Sequence, residues 1–305
     1  MMMSTFPKIS IITPSYNQGY YLEQCIQSVL EQDYPNIEYI IIDGGSTDNS
    51  VEILQKYSDR LAYWVSESDD GQSAAINKGL RRASGDIWAW LNSDDYYTPG
   101  AISKAAAFLG SYPDLGIVFG DCNQIAKDGS FLKRQDPPVF KYADFLLSLD
   151  DFIPSSSTFI RRSVYEIVGE LDVTMHYLMD HDYWLRAGMV TNFGFLPEIL
   201  SSFRVYPEAK SYRRTTGRTR DMIHMYEKLL SSDTISKMLG INPKHLLSRV
   251  YQEGSASYWV NGDISMFRQY LWKSINYAPF HWPRRRIRLI LRALFGGLGF
   301  DAASR

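Results

Sequence analysis

Between Ile87 and Leu91 the chain carries five consecutive apolar residues, Ile-Trp-Ala-Trp-Leu, and then runs straight into Asn92-Ser-Asp-Asp95. The run has no apolar/polar alternation, which fits a central strand covered on both faces and not a half-exposed edge strand. The polar residues then stand at the strand's C-terminal end, where open α/β sheets bind their ligands. Adjacent carboxylates such as Asp94 and Asp95 raise each other's pKa unless a cation lies beside them. A hard ion such as Mg²⁺ or Mn²⁺, held by one or two carboxylates and the phosphates of a substrate, supplies that charge. The competing reading is a solvated turn that caps a helix starting near Thr98-Pro99.

The flanking sequence repeats this arrangement. Residues 8–13 form a β-rich run broken by Pro14, followed by the loop Ser15-Tyr-Asn-Gln-Gly19 and a helix with Leu22, Cys25, Ile26 and Val29 on one face. Residues 37–42 form a second run ending in Asp43-Gly-Gly-Ser-Thr-Asp48, with a helix to Tyr57. A third strand, 61–65, leads into Glu67-Ser-Asp-Asp-Gly-Gln72 and a helix to about Ala83. Strands alternating with helices of this length are the signature of parallel βαβ units. The loops after residues 13, 43 and 92 then share one rim of one sheet, a natural nucleotide crevice.

Beyond residue 98 a helix to 109 and a strand 115–120 are expected, and Asp128-Gly129 reads as a hairpin at which the sheet turns antiparallel. Residues 152–161 read as a further strand and 162–168 as a helix closed by Gly169. Asp180 and Asp182 open a helix, where negative charge suits the N-terminal dipole. After residue 207 the pattern becomes helical, at about 218–230, 243–260 and 264–277, so a first domain of 1–207 and a helical region of 208–305 are expected.

The 305 residues are 45% apolar with net charge −2, ample for a core and without the basic excess of a nucleic-acid binder. Two cysteines make neither a disulfide framework nor a zinc site and fit a reducing cytosol. The first eight residues lack an apolar core of signal-peptide length, and there is no apolar run of transmembrane length, so a cytoplasmic location is expected. In the last segment Ile287, Ile290, Leu291, Leu294 and Phe295 keep helical spacing, with Arg285, Arg288 and Arg292 on another face and Trp282 near one end. Such a helix either lies against an anionic membrane, making the protein peripheral at the inner face through 284–295, or docks its stripe on the domain.

With these motifs in order, the chain from about 8 to 206 resembles the inverting glycosyltransferases of family 2, which have the GT-A fold: a Rossmann-like αβα sandwich on a mostly parallel mixed sheet. The resemblance implies that Thr13, Pro14 and Tyr16 meet the nucleotide base, that Asp43 hydrogen-bonds it, and that Asp69 or Asp70, in the segment Asp69-Asp-Gly-Gln-Ser-Ala-Ala-Ile-Asn-Lys78, faces the donor. Asn92-Ser93-Asp94 takes the place of the family's Asp-x-Asp motif, with Asn92 for the first acid, so Mn²⁺ or Mg²⁺ would rest on Asp94 and Asp95. Asp180, after Met179 where the family often has Glu, holds the position of the catalytic base. Trp184 beside it reads as a sugar platform or as core. Phe203-Arg-Val-Tyr206 replaces an Arg-x-His, so the diphosphate would fall to Arg204 or to Lys210, Arg213 and Arg214 in a closing loop. The processive motif Gln-x-x-Arg-Trp is not found. The implied activity is metal-dependent, non-processive transfer of a sugar from a nucleotide-diphosphate donor, UDP by preference, to a hydroxyl of a glycan or lipid-linked acceptor. Two other readings stand beside it: a non-catalytic donor-binding scaffold subunit, and a sugar nucleotidyltransferase, against which speaks the lack of a Gly-rich triphosphate loop.

Overall fold

The computed structural model describes residues 6–135, 137–138, 140–207, 209, 216–280 and 283–295, with Leu294 and Phe295 by backbone alone. Lys210, Arg213, Arg214 and Trp282, and the side chains of Leu294 and Phe295, lie outside the described residues. The chain divides into two compact units, Met1–Arg213 and Arg214–Arg305.

The first unit is α/β. Its elements are β1 (Ile9–Ser15), α1 (Gly19–Leu30), β2 (Ile37–Asp43), α2 (Ser50–Tyr57), β3 (Tyr63–Ser66), α3 (Gln72–Arg82), β4 (Ile87–Trp90), β5 (Tyr96–Tyr97) and α4 (Ala101–Ser111). They continue with β6 (Leu115–Ile125), β7 (Phe131–Gln135), α5 (Tyr142–Ser148), β8 (Thr158–Arg161), α6 (Arg162–Val168), α7 (Met179–Ala187) and β9 (Asn192–Arg204). The sheet order is β3-β2-β1-β4-β8-β6-β9-β5, with β7 paired to β6. From β3 to β4 all pairing is parallel, which puts the ends of β1, β2 and β4 on one rim. Antiparallel pairing begins at β8, beside β4, and not first at the 131–135 hairpin.

The absence of alternation in β4 follows from its two covers. Ile87, Ala89 and Leu91 join the core under α1, α2 and α4. Trp88 and Trp90 point to the opposite face, where Trp90 stacks on Trp184 of α7 (centroids 5.3 Å, 13°) and Trp88 meets Tyr183 edge-on. Trp184 is fully buried and is therefore core, not a sugar platform. On the same face Gly79 lets α3 lie against β1, since a Cβ there would come within 2.5 Å of Ile12.

Two stretches differ from the expected elements. The strand at 152–161 shortens to β8, because Pro154 has no N–H for a ladder and Ser155–Ser157 coil into a 3-10 turn closed by Ser157 N–H to Pro154 O. The Ser156 and Ser157 hydroxyls bond instead to that of Ser201 on β9. Asp182 is held by Arg186 one turn on, Nε to Oδ2 at 2.8 Å, a structural pair within α7.

The second unit is helical: α8 (Thr216–Leu229), α9 (Thr234–Leu239), α10 (Pro243–Val260), α11 (Ile264–Tyr277) and α12 (Arg284–Phe295). The spacing predicts all but α9, a six-residue helix too short to show a period. In α12 the expected apolar stripe is split. Arg286 and Leu289 face inward, Arg286 donating to the carbonyls of Ala278 (2.6 Å) and Ser274 (3.0 Å) and to the Ser248 hydroxyl. Ile287 and Leu291 remain about half exposed. No helix among the described residues is long and apolar enough to cross a membrane.

Candidate active site

The rim begins with the loop after β1. Asn17, at φ 51°, donates its N–H to Ser46 Oγ (2.7 Å) and accepts from Thr47 N–H (2.8 Å), stitching this loop to the one after β2. Thr13 is buried, its hydroxyl 3.0 Å from that of Tyr39, and Pro14 is buried beside it. Tyr16 by contrast is 61% exposed, an aromatic face open for stacking.

Asp43 turns inward. Its Oδ2 accepts from the N–H groups of Gly45 (3.2 Å) and Ser46 (2.8 Å) and from the Ser66 hydroxyl (2.7 Å), and its Oδ1 from the Ser46 hydroxyl (2.6 Å). The carboxylate thus fixes the Gly-Gly loop, with Gly45 at φ 80° where other residues strain. Oδ1, which accepts only from Ser46, keeps acceptor capacity for the base contact implied for Asp43. Asp69 lies against Gly44, whose missing Cβ would sit 2.9 Å from Asp69 Oδ2. Burial, then the charges of Asp43 and Asp70, raise the Asp69 pKa, although the Gly71 N–H lowers it. Asp70 is exposed. Lys78 pairs with Glu67.

At the end of β4 the two carboxylates part company. Asp95 is 2% exposed, with Oδ1 accepting from Arg204 N–H (3.0 Å) and Oδ2 from Asn92 Nδ2 (3.2 Å). Burial, followed by the Asp94 charge, pushes its pKa well up. Asp95 is therefore a structural link between β4 and β9, both its oxygens held by the chain. Asp94 is only half buried, and its Oδ2 accepts from the Tyr206 hydroxyl at 2.8 Å. Burial raises the Asp94 pKa against the lowering effects of Tyr206 and Arg204. Ser93 between Asn92 and Asp94 is buried.

Arg204 is also buried and spends its donors on the chain itself. Nε bonds Asp94 O (3.0 Å), Nη1 bonds Ala126 O (3.2 Å) and Lys127 O (3.0 Å), and Nη2 bonds Gln24 Oε1 (2.8 Å). Its plane lies 4.5 Å from the centre of the Tyr21 ring. This guanidinium clamps the rim and is turned away from the diphosphate role expected of it.

Contacts of α3 lie between the end of β4 and the start of α7. Gln72 Nε2 donates to Asn92 Oδ1 (2.7 Å), and the next residue, Ser73, donates to Met179 Sδ (3.0 Å) and Met175 O (3.2 Å). Asn77, one turn on, grips Leu171 by both its N–H and its C=O (2.9 Å each). α3 thereby sets the start of α7, where Asp180 is half buried and accepts from His181 N–H at 2.9 Å. Sequence reasoning missed Gln72, Ser73 and Asn77 as positioning residues; for Ser73 and Asn77 the available signal was their place on the same helix face as Ile76 and Leu80.

Among the described residues no three His, Cys, Asp or Glu side chains converge on a metal position. A hard cation still fits Asp94, a half-buried oxygen donor at the end of β4, provided that phosphate oxygens complete the shell.

Comparison with known proteins agrees with this rim. Residues 10–168 match the family described as Glycosyl transferase family 2. An uncharacterized glycosyltransferase of Rickettsia typhi is 27% identical over 238 residues, 76% of this chain and 73% of the relative. The putative teichuronic acid biosynthesis glycosyltransferase TuaG of Bacillus subtilis is 35% identical over 153 residues, 49% of this chain and 58% of its own length. Among solved structures, S. aureus TarS 1-349 in complex with UDP-GlcNAc aligns at TM-score 0.64 and 17% identity, over 95% of this chain and 86% of that one. The mannosyltransferase PcManGT from Pyrobaculum calidifontis, in complex with GDP-Man and Mn²⁺, aligns at 0.58 and 16%, over 96% and 88%. At such identities these two establish likeness of fold, that of the GT-A enzymes. The family match runs from β1 to α6, through the Tyr16 loop, the Asp43 loop and the end of β4, and by it the chain belongs to glycosyl transferase family 2 and is a glycosyltransferase.

Proposed function

We propose that this protein is a metal-dependent, inverting, non-processive glycosyltransferase that moves a sugar from a UDP-sugar to a hydroxyl of a glycan or lipid-linked acceptor in surface-polysaccharide assembly. The observation that carries the reading is the rim itself: an exposed Tyr16 ring, the locked Asp43 loop and a half-buried Asp94 at the ends of three parallel strands. UDP is favoured because TarS, of the same fold, carries UDP-GlcNAc. In the reaction Asp180 accepts the proton of the acceptor hydroxyl, whose oxygen attacks the anomeric carbon as the bond to the diphosphate oxygen breaks and UDP leaves. Mn²⁺ or Mg²⁺ on Asp94, when bound, supplies positive charge to that leaving group. One displacement inverts the anomeric carbon. Proton NMR of the sugar product checks this: an α-linked donor is expected to give a β product, and retention would refute the mechanism.

The second unit offers a surface for the membrane face on which lipid-linked acceptors lie. Phe280 is 95% exposed, Ile287 and Leu291 are half exposed, and Arg284 and Arg288 stand exposed on the same side of α12. Apolar groups flanked by arginine suit an anionic bilayer. Flotation with phosphatidylglycerol-containing vesicles is expected to carry the protein, and Arg284→Glu with Arg288→Glu to abolish it. Equal flotation with neutral phosphatidylcholine, or none with either, would exclude the contact.

A further inference from the structure

Where the family resemblance places an imidazole, this chain has Tyr206. The Tyr206 hydroxyl donates to Asp94 Oδ2 at 2.8 Å and accepts from Gln18 Nε2 at 3.3 Å. Its ring is buried against Tyr21, centroids 5.8 Å apart, and Ala209. The hydroxyl therefore joins the carboxylate of the β4 end to the loop that follows β1. A phenol at pH 7 keeps its proton, and with that proton directed at Asp94 it is a donor and not a metal ligand. A neutral imidazole would ligate directly. Asp94 is left as a ligand of one oxygen, its other oxygen fixed by the phenol. Hydrogen bonds of this kind set the orientation of a ligating carboxylate.

We propose that Tyr206 is a positioning residue that holds Asp94 as a one-oxygen ligand, so that the site takes its divalent cation together with the donor diphosphate and not before it. The inference rests on the reading of Asp94 as the cation's ligand. A single carboxylate competes poorly with water for Mn²⁺, and the two phosphates supply the remaining oxygens. The bond from Gln18 ties the same hydroxyl to the start of α1, so the nucleotide loop and the carboxylate are set as one piece.

The test reads manganese directly, from the electron paramagnetic resonance of free aquo Mn²⁺, with and without UDP, on the full chain. Wild-type protein is expected to bind Mn²⁺ only when UDP is present. Tyr206→Phe is expected to weaken this UDP-dependent binding about 10- to 100-fold. Tyr206→His, which restores an imidazole, is expected to bind Mn²⁺ without UDP and keeps the test decisive should the phenylalanine variant fold poorly. Melting curves accompany each variant. A phenylalanine variant that binds Mn²⁺ and UDP like wild type, even with a lowered melting temperature, would overturn the positioning role alone. Tight Mn²⁺ binding by wild type without UDP would overturn the order of binding. Wild type that binds no Mn²⁺ even with UDP would remove the cation from Asp94 and both readings with it.

Discussion

Asp180→Asn is expected to lower sugar transfer about 1,000-fold, the usual worth of a general base, while leaving the affinity for UDP within about threefold of wild type. The asparagine keeps the shape of the side chain and can still accept the His181 N–H, so the start of α7 is preserved. What it loses is the capacity to take a proton from the acceptor hydroxyl. The proposed donor contacts lie on the rim of β1, β2 and β4, on other elements, and are expected to bind as before. Steady-state rates of UDP release from a UDP-sugar, beside calorimetric UDP affinities, separate the two effects. An asparagine variant with wild-type turnover would contradict the base assignment and favour a non-catalytic, donor-binding subunit.

Asp94→Ala is expected to bring the UDP affinity measured with Mn²⁺ down to that measured with EDTA, a loss of about 100-fold or more, since losing even a supporting group of a metal ligand costs 10- to 100-fold. The same substitution is expected to cost the folded state little, because the one side-chain donor it unpairs, the Tyr206 hydroxyl, keeps its bond from Gln18 Nε2. Asp95→Ala behaves in the opposite way. It strands the Arg204 N–H and the Asn92 amide, at a cost of about 1–3 kcal/mol for each buried group left unpaired. Thermal melting and UDP titration of the two variants distinguish a carboxylate that serves the ligand from one that serves the fold. Adjacent in sequence, they face different partners.

That difference marks the limit of what the amino-acid order reveals. The parallel rim was legible because each of β1, β2 and β4 is a dense apolar run that stops at a polar loop, and a buried strand has few other ways to be written. The long helices α10 and α11 were legible at about 243–260 and 264–277, and the structure caps their starts with the Asn242 and Asp263 side chains. The direction of a polar side chain was not. Nothing near Asp43 in the sequence shows that Ser66, 23 residues on, donates to it. Arg204 reads as a phosphate ligand until the carbonyls of Ala126 and Lys127 are seen around it. The acceptors of Arg286, too, come from α10 and from α11 and its end, brought together only by folding. In each case the partner is distant in the chain, and local pattern carries no trace of it.

The central claim, that the ends of β1, β2 and β4 form a cation-assisted UDP site, is tested most directly by calorimetric titration of UDP into the wild-type protein with Mn²⁺ and again with EDTA. Saturable binding that is strong with Mn²⁺, weak with EDTA and lost in Asp94→Ala is the result this account predicts. UDP binding of equal strength with and without the metal, or none under either condition, would contradict it.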